Sequence, residues 1–389
     1  MNFNRVVIKV GSALVSPNNN GCSGKYIEAI ARFVTKCHQE NKEVILVSSG
    51  SVAAGRYLIQ HRSPIPSIPT KQAMASVGQL KMMANWQRFF DVPCSQLLIT
   101  HGDLKDRQRY INIKNTLRIL LANGVIPIVN ENDTVATEEL KVGDNDNLAA
   151  LVALNCEADC LIILSDVDGV YNKDPKRNDD AEMISEISEI TDEIYAMAGT
   201  TNNPIAIGGM KTKLQAAEKA VENGIDTYIL NGTKKQVFER IIAGENPGTR
   251  CLAKQEVRRA KKHWLKHTLK SHGQLVLDSG AVNAVKNNGA SLLPSGILSI
   301  TGEFLAGESL DIIDANTKTI VAKGICQYNH QDLFRIKGAK TDQIQSILGF
   351  CPSKVIVHRD DMVIMRCIPM QVDRVLWRVI FLNDCVEKR

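Results

Sequence analysis

Short runs of consecutive apolar residues recur along the first half of the chain, at residues 6–8, 44–47, 125–129 and 161–164. The runs are rich in valine and isoleucine and do not alternate with polar residues, which predicts strands buried on both faces, as in a parallel sheet. Apolar residues at helical spacing lie between and after them, in segments 26–39, 74–90, 111–121 and 210–223. This alternation predicts an α/β fold, in which helices cover both faces of the sheet through right-handed crossovers.

The pattern changes near residue 247, where a Pro-Gly pair precedes a basic stretch. Six Lys or Arg residues and two His residues fall between residues 258 and 270, which indicates a linker or a surface helix. From residue 272 onward, short strands separated by glycine turns predict a small β-barrel, with strands at 275–277, 296–300, 309–313, 319–324 and 354–358. We therefore expect an α/β domain at 1–255, a basic linker at 256–271, a mainly-β domain at 272–362 and an extension of unknown role at 363–389.

Composition and charge exclude several classes of protein. The 389 residues are 44% hydrophobic and 23% charged with a net charge of +5, which is too mildly basic to predict a nucleic-acid partner by itself. No apolar run approaches the roughly 20 residues that a membrane span needs, and the N-terminal segment is typical of a strand and not of a secretion signal. The ten cysteines include no Cys-x-x-Cys pair, so we interpret them as reduced thiols of a cytoplasmic protein.

Candidate chemistry lies directly after the predicted strands, because ligands of open parallel sheets bind at the carboxyl ends of the strands. Lys9 lies between the first apolar run and Val10, inside the predicted strand, where an ammonium group is costly unless it meets an anion. On its own, it could equally be a lysine that extends to the surface. Gly11 follows in a tight turn whose N–H groups can hold phosphate. Ser49 follows the second run, among small residues that let a ligand approach the backbone.

Acidic and amide side chains converge after the run at 125–129. Asn130 and Asp133 follow it directly, and Asp144, Asn145 and Asp146 come after a short excursion, expected as a hairpin at 135–142. An EF-hand is excluded, because the loop has no Gly at its sixth position and no Glu at its twelfth. Asn145 could simply cap the following helix. The remaining carboxylates suit an α-ammonium group or could orient lysines.

Two further segments indicate a nucleotide site. Ser165 and Asp166 follow the run at 161–164, in a turn expected to face the ligand before a surface hairpin. The segment Gly-Gly-Met-Lys-Thr-Lys at 208–213 opens a helix, and free N–H groups and the helix dipole both favour phosphate there. The spacing is not that of a Walker A loop, and a capped helix with surface lysines is the alternative.

Taken together, these motifs resemble the amino-acid kinase family. Lys-x-Gly-Ser at Lys9, Ser-Ser-Gly at Ser48, Asn-Glu-Asn-Asp at Asn130, Gly-Asp-Asn-Asp-Asn at Gly143 and Gly-Gly-Met-x-Thr-Lys at Gly208 come in the order of that family. The C-terminal part resembles a PUA domain, through Ser-Leu-Leu-Pro-x-Gly-Ile at 291–297 and Val-His-Arg-Asp-Asp at 357–361. The resemblance implies a three-layer sandwich around a mostly parallel sheet, followed by a small, mainly-β PUA barrel.

The resemblance also implies roles for individual residues. The catalytic residues would be Lys9, Lys213 and Asp146, with Asp146 holding both lysines in place. The acceptor would be bound by Ser49, Asp133, Asn145, Asn130 and Asp144. ATP would be bound by Lys9, Gly11, Ser165, Asp166, Ile207, Gly208, Gly209, Met210, Lys211, Thr212 and Lys213. The sequence departs from the family at Ala206 and Ile207, where members usually have more glycine and a threonine, and a β-branched residue tolerates fewer backbone angles.

The motifs are most similar to those of family members that use ATP to phosphorylate the γ-carboxylate of glutamate, the first step of proline biosynthesis. That carboxylate is ionised at neutral pH, so the reaction needs charge neutralisation and no general base, and two lysines with Mg²⁺ can supply it. Mg²⁺ would be held mainly by ATP phosphates and waters, without a protein metal site. The alternatives are a kinase for acetylglutamate, aspartate or UMP, and an RNA-binding PUA protein with a degenerate kinase domain.

Partners are implied by the resemblance alone. We expect glutamate and ATP as substrates, proline as a feedback inhibitor acting through loops such as 107–116, and a homo-oligomer that is either a dimer or a tetramer. RNA is a disfavoured partner, because the predicted β domain lacks the aromatic interleaving of a stacking surface. No membrane partner is expected.

Overall fold

The structure is a computed structural model that describes residues 3–18, 21–60, 66–136, 145–175, 177–197, 209–253 and 271–365. It divides into two compact units, Met1–Lys261 and Lys262–Arg389. Most of the expected basic linker at 256–271 lies outside the described residues. The same holds for the expected extension from residue 366 onward and for residues 137–142 of the expected hairpin.

The first unit contains an eight-stranded, mostly parallel sheet. Its strands and a separate hairpin are β1 (Arg5–Val10), β2 (Glu43–Ser48), β3 (Cys94–Ile99), β4 (Ile126–Glu131), β5 (Cys160–Ser165), β6 (Val170–Tyr171), β7 (Met183–Ile184), β8 (Glu186–Ile187), β9 (Asp226–Asn231) and β10 (Thr249–Cys251). The sheet order is β3-β4-β2-β1-β5-β9-β10-β8. In this sheet order, the six strands β3, β4, β2, β1, β5 and β9 are each parallel to their neighbours, whereas β10 runs antiparallel to β9. The predicted surface hairpin after β5 is present as the antiparallel pair β6 and β7.

Helices cover both faces of this sheet. They are α1 (Ser12–Val15), α2 (Ile27–Gln39), α3 (Ser51–Gly55), α4 (Ile68–Gln87), α5 (His101–Lys105), α6 (Arg107–Ala122), α7 (Asn145–Asn155), α8 (Asp192–Met197), α9 (Met210–Glu222) and α10 (Lys235–Ile242). Buried side chains of α2, α4 and α10 form one core with the sheet, and those of α6, α7 and α9 form a second core on the opposite face. The predicted three-layer α/β sandwich is therefore confirmed.

The alternation of side chains between the two faces of β1 explains why a lysine can lie inside a buried strand. Successive side chains of a strand point to opposite faces of the sheet. Val6 and Ile8 join the core beneath α2, whereas Val7 joins the core beneath α7 and α9. Lys9 shares the face of Val7, so its side chain points to the helical layer that carries α7 and α9. The strand thereby carries an ammonium group to the carboxyl edge of the sheet.

Close contact between α3 and α4 depends on two glycines. A Cβ atom on Gly55 would lie 1.9 Å from the carbonyl oxygen of Met74, and one on Gly78 would lie 1.9 Å from that of Ser51. Only residues without side chains allow the two backbones to approach this closely. The contact holds the segment after β2, which contains Ser49 and Ser51, against the longest helix of the unit.

The second unit is a mainly-β module around a single core. Its elements are β11 (Gly273–Leu277), α11 (Ser279–Asn287), β12 (Ile297–Thr301), β13 (Ser309–Asp314), β14 (Ile320–Cys326), α12 (His330–Ile336), α13 (Ile344–Leu348) and β15 (Val357–Ile364). The strands form one sheet in the order β12-β11-β13-β14-β15. A bridge between Leu292 and Val357 joins the segment before β12 to β15, at the other end of the sheet.

The last strand lies further along the chain than the sequence predicts. It was expected at 354–358 but runs from Val357 to Ile364, because Met362 and Val363 pair with Gly324 and Lys323 of β14. Its polar start, His358 to Asp360, is at least partly exposed and therefore gives no hydrophobic signal.

No helix in the described part of the chain combines the length and the apolar character that a membrane span requires.

Candidate active site

Two lysines from distant parts of the first unit converge on one carboxylate. The Nζ atom of Lys9 lies 2.5 Å from Oδ1 of Asp146, and the Nζ atom of Lys213 lies 3.1 Å from Oδ2 of the same side chain. The three side chains are 8%, 2% and 6% exposed for Lys9, Asp146 and Lys213. Lys9 is the penultimate residue of β1, whereas Asp146 and Lys213 lie in the first turns of α7 and α9.

The electrostatics of this trio favour an ionised carboxylate. Burial by itself would raise the pKa of Asp146, but the ammonium groups of Lys9 and Lys213 and a hydrogen bond from Thr212 lower it to about 2. Thr212 donates to Oδ2 of Asp146 over 2.9 Å. One negative charge therefore faces two positive charges, so the trio carries a net positive charge that favours an anionic ligand.

Amide and hydroxyl side chains form a second cluster beside the trio. Nδ2 of Asn145 donates to Oγ of Ser49 over 2.9 Å and to Oδ1 of Asn130 over 2.8 Å. Asn130 is the penultimate residue of β4, Ser49 follows β2, and Asn145 begins α7. Because β2 and β4 are adjacent parallel strands, their carboxyl ends bring these residues together.

Asp133 lies after β4 in the same region. Its Oδ2 atom accepts a hydrogen bond of 2.7 Å from the hydroxyl of Ser51. Burial raises the pKa of Asp133 to about 6, the Ser51 bond opposes that shift, and the neighbouring charge of Glu131 adds to it. The carboxyl group is therefore poised to change its charge slightly below neutral pH.

A cavity of about 360 Å³ opens at the carboxyl ends of these strands, and we call it the strand-end cavity. Its lining contains ten of the residues predicted from the sequence: Lys9, Gly11, Ser49, Asn130, Asp133, Asn145, Asp146, Ser165, Asp166 and Lys213. Within the described ranges, no group of three or more His, Cys, Asp or Glu side chains could hold a metal ion. The cavity lining thus offers cations to an anionic ligand and carboxylates to an ammonium group.

Comparison with known proteins places this geometry in a family. Residues 4–231 match the amino acid kinase family and residues 273–348 match the PUA domain. The chain is 48% identical over 363 residues to glutamate 5-kinase from Idiomarina loihiensis, which covers 93% of this chain and 98% of that protein. It is 50% identical over 366 residues to glutamate 5-kinase from Salinibacter ruber, with coverages of 93% and 97%. For glutamate 5-kinase 1 from Pseudoalteromonas translucida, the identity is 47% over 329 residues, with coverages of 85% and 89%.

The chain belongs to the glutamate 5-kinase branch of the amino acid kinase family. The resemblance noted in the motifs is thereby confirmed, and the protein is a kinase. Its C-terminal module is a PUA domain.

Not every residue predicted for the nucleotide lines the strand-end cavity of this glutamate 5-kinase family member. The N-cap Gly209 and the first residues of α9, Met210 and Lys211, are absent from the cavity lining, and Met210 packs against the core beneath that helix. Thr212 contacts Asp146 and the carbonyl oxygen of Gly209. Asp144, Ile207 and Gly208 lie outside the described residues.

Three residues that sequence reasoning missed also belong to the site. Arg56 and Lys71 line the strand-end cavity, and the side chain of neither makes an ion pair or hydrogen bond within the described ranges. Gln79, a buried residue of α4, accepts a hydrogen bond from Asn130. Arg56 follows the small residues Ala-Ala-Gly that end α3, which is the one signal that could have suggested it. Gln79 lies on a helix predicted only from its apolar stripe, and Lys71 precedes the expected start of that helix at residue 74, so nothing in the pattern indicates function.

Proposed function

We propose that this kinase transfers the γ-phosphate of ATP to the γ-carboxylate of L-glutamate and forms L-glutamate 5-phosphate, the first step of proline biosynthesis. Relatives named glutamate 5-kinase cover almost the whole chain and support this substrate. The observation that carries the proposal is the convergence of Lys9 and Lys213 on Asp146 inside the strand-end cavity.

The two lysines would neutralise charge during phosphoryl transfer. An anionic carboxylate has to approach an anionic phosphate, and catalysis of such a step is mostly positioning and electrostatic stabilisation. Asp146 would hold both ammonium groups so that they are in place before the reaction begins, which saves the cost of reorganisation. No general base is required, because the γ-carboxylate of glutamate is already ionised at neutral pH.

The amino-acid end of glutamate would bind deeper groups of the same cavity. Asp133 and Oδ1 of Asn145 would accept hydrogen bonds from the α-ammonium group, with Ser49 and Asn130 beside them. Arg56 and Lys71 would bind the α-carboxylate, since they are cations that line the cavity without a partner in the described ranges.

The nucleotide would lie toward the other side of the trio. Gly11, Ser165 and Asp166 border the cavity there. The N-terminus of α9, whose Gly209 N-cap provides no side-chain acceptor, would contribute N–H groups to phosphate. Mg²⁺ would be bound through ATP phosphates and waters and would lower the charge of the transferring group.

Regulation, assembly and location are further parts of the proposal. Proline carries an α-carboxylate and an ammonium group like those of glutamate, so it would compete for the same groups as a feedback inhibitor. Residues 107–116, expected as a loop, form the first part of α6 and would take part in this regulation. We also propose a homo-oligomer, either a dimer or a tetramer. The eight cysteines of the described ranges form no disulfide, which supports a cytoplasmic protein.

One assay tests the central proposal. The purified protein is incubated with ATP, Mg²⁺, glutamate and hydroxylamine, and the acyl phosphate is captured as the γ-hydroxamate. Release of ADP is followed in parallel with acetylglutamate, aspartate and UMP as acceptors. We expect hydroxamate from glutamate and little ADP from the other three. Faster turnover of another acceptor, or no hydroxamate at all, would refute the proposed substrate.

A further inference from the structure

The side chain of Gln79 does not line the strand-end cavity, yet a row of amides connects it to that cavity. Nδ2 of Asn145 donates to Oδ1 of Asn130 over 2.8 Å, and Nδ2 of Asn130 donates to Oε1 of Gln79 over 2.9 Å. Nε2 of Gln79 then donates to Oε1 of Gln96 over 2.9 Å. We call these four residues the amide relay. The first three are buried, whereas Gln96 is exposed on β3.

The direction of the relay is fixed at its cavity end. Nδ2 of Asn145 also lies 3.4 Å from the carbonyl oxygen of Ser48, which can only accept hydrogen bonds. This contact requires the NH₂ group of Asn145 to point toward Ser48 and Asn130. No hydrogen bond within the described ranges uses Oδ1 of Asn145, which is left as an acceptor beside the cavity.

Each amide of the relay therefore depends on the next one. A side-chain amide can flip by 180° and so exchange its donor and acceptor groups at little cost, unless its hydrogen-bond partners oppose the flip. Asn130 keeps its oxygen toward Asn145 because its own NH₂ group is occupied by Oε1 of Gln79. Without that acceptor, Asn130 would gain by turning its NH₂ group elsewhere, and Asn145 would lose the partner that orients it.

We propose that Gln79 is a positioning residue for the acceptor substrate: through Asn130, it keeps Oδ1 of Asn145 facing the cavity as an acceptor for the α-ammonium group of glutamate. This inference rests on the proposed function, since it assumes that glutamate is the acceptor. Gln79 does not touch the substrate, and its contribution is to the affinity for the amino-acid end. The phosphoryl-transfer step itself, which depends on Lys9 and Lys213, does not involve it.

The test compares two substitutions at one position. Gln79→Met removes the acceptor with little change in volume, and we expect it to raise the KM for glutamate on the order of tenfold while the KM for ATP and kcat stay close to wild type. Gln79→Glu retains an oxygen toward Asn130, and when protonated it also retains a donor toward Gln96. We expect its KM for glutamate to stay within about twofold of wild type.

A double-mutant cycle distinguishes positioning from a merely structural role. If Gln79 acts through Asn145, Gln79→Met adds nothing to the raised KM of Asn145→Ala. The matched control is Gln87→Met on the same helix, whose side chain bonds the backbone of Phe90, Val92 and Cys94 and no member of the relay. That control should lower the melting temperature without changing KM.

Several results would overturn the inference: an unchanged KM in Gln79→Met, a full additional effect in the Asn145→Ala background, or equal effects of Gln79→Met and Gln79→Glu. KM does not depend on the folded fraction, so a variant that is only partly folded still gives a reading. Failure of the wild type to form hydroxamate from glutamate would instead refute the proposed function, and the two failures are thus distinguishable.

Discussion

The hydroxyl group of Ser51 donates a 2.7 Å hydrogen bond to Oδ2 of Asp133 inside the strand-end cavity. This bond stabilises the ionised form of a carboxyl group that burial and the charge of Glu131 act to neutralise. The balance leaves the pKa of Asp133 at about 6, so a small change of environment decides whether the group can bind an ammonium ion at neutral pH.

The first prediction concerns the pH dependence of glutamate binding. Below a pH of about 6, Asp133 takes up a proton and loses its charge, so the KM for glutamate should rise toward tenfold for each further pH unit. Glutamate itself does not titrate until its γ-carboxylate is reached, near a pKa of about 4.3. Because the folded pKa of Asp133 lies above that of an unfolded aspartate, protonation of this group favours the folded state, and the lost affinity is not caused by unfolding.

Ser51→Ala provides the control for this assignment. Removing the hydrogen bond raises the pKa of Asp133 further, so the rise in KM should begin at a higher pH than in the wild type. Initial rates at several glutamate concentrations between about pH 5.5 and pH 8 measure both profiles. Superimposable profiles for the two proteins would exclude Asp133 as the titrating group.

The second prediction separates the three charged residues of the trio. Lys9→Met or Lys213→Met leaves one ammonium group beside Asp146, a neutral pair that the interior tolerates, so each variant should fold and lose on the order of 10²-fold in kcat. Asp146→Asn leaves two buried ammonium groups without their counter-charge. It should lose a similar factor in kcat and also about 3 kcal/mol or more of folding free energy.

Thermal melting and single-turnover rates measure these two effects separately. For a unit of this size, the loss in Asp146→Asn corresponds to a melting temperature lower by roughly 10 °C. If either lysine variant turned over at nearly the wild-type rate, that lysine would have no part in the transfer. Equal melting temperatures for Asp146→Asn and Lys9→Met would contradict the charge balance inferred here.

Lys9 illustrates how much of the site the sequence could predict. The ammonium group of a lysine in an apolar strand has to meet an anion or reach the surface. The two-residue period of the strand shows that Lys9 shares a face with Val7. The convergence with Asp146 and Lys213 needed the family resemblance, because no local pattern places α7 and α9 beside the same strand. Parallel strands with buried faces were predictable for β1, β2, β4 and β5 because each is an uninterrupted apolar run.

Other parts of the molecule gave little local signal. The edge strand β3 is half exposed and carries polar residues such as Ser95 and Gln96, so it has no apolar run to recognise. The helix α4 begins at Ile68, before the expected start at residue 74, because Ser67 caps it and its first turns are polar. The roles inferred for Gln79, Arg56 and Lys71 arise from tertiary contacts alone, which periodicity cannot reveal.

The third prediction concerns the contact between α3 and α4. A Cβ atom on Gly78 would lie 1.9 Å from the carbonyl oxygen of Ser51 and 2.5 Å from the nitrogen of Gly55. Gly78→Ala should therefore push α3 away from α4, at a cost of about 1–3 kcal/mol, and displace the hydroxyl of Ser51 from Asp133. We expect a lower melting temperature together with a higher KM for glutamate.

Gly102→Ala is the matched control for Gly78→Ala. Gly102 also lies in a helix, but the nearest atom to its added Cβ would be Oγ1 of Thr100 at 3.4 Å, and alanine is the better helix former. Its melting temperature should equal or slightly exceed that of the wild type. Its KM for glutamate should stay near the wild-type value. A Gly78→Ala protein as stable and active as Gly102→Ala would mean that the backbone contact is not required.

The fourth prediction tests the cations that line the strand-end cavity without a described partner. If Arg56 and Lys71 bind the α-carboxylate, Arg56→Met or Lys71→Met should lower kcat/KM for glutamate by about 10- to 100-fold, the usual range for a lost charge-assisted hydrogen bond. The acceptor 4-aminobutyrate has the same chain and ammonium group but no α-carboxylate. Its slower phosphorylation should therefore be unaffected by either substitution.

The comparison of glutamate with 4-aminobutyrate distinguishes a specific carboxylate contact from a general disturbance of the cavity. A general disturbance of the cavity lowers the rates with both acceptors, whereas loss of a specific carboxylate contact reduces only the preference for glutamate. Arg88→Met serves as the control, because Arg88 stacks on the ring of Phe89 at 4.8 Å and does not line the cavity. Equal losses for glutamate and 4-aminobutyrate would remove Arg56 and Lys71 from acceptor recognition.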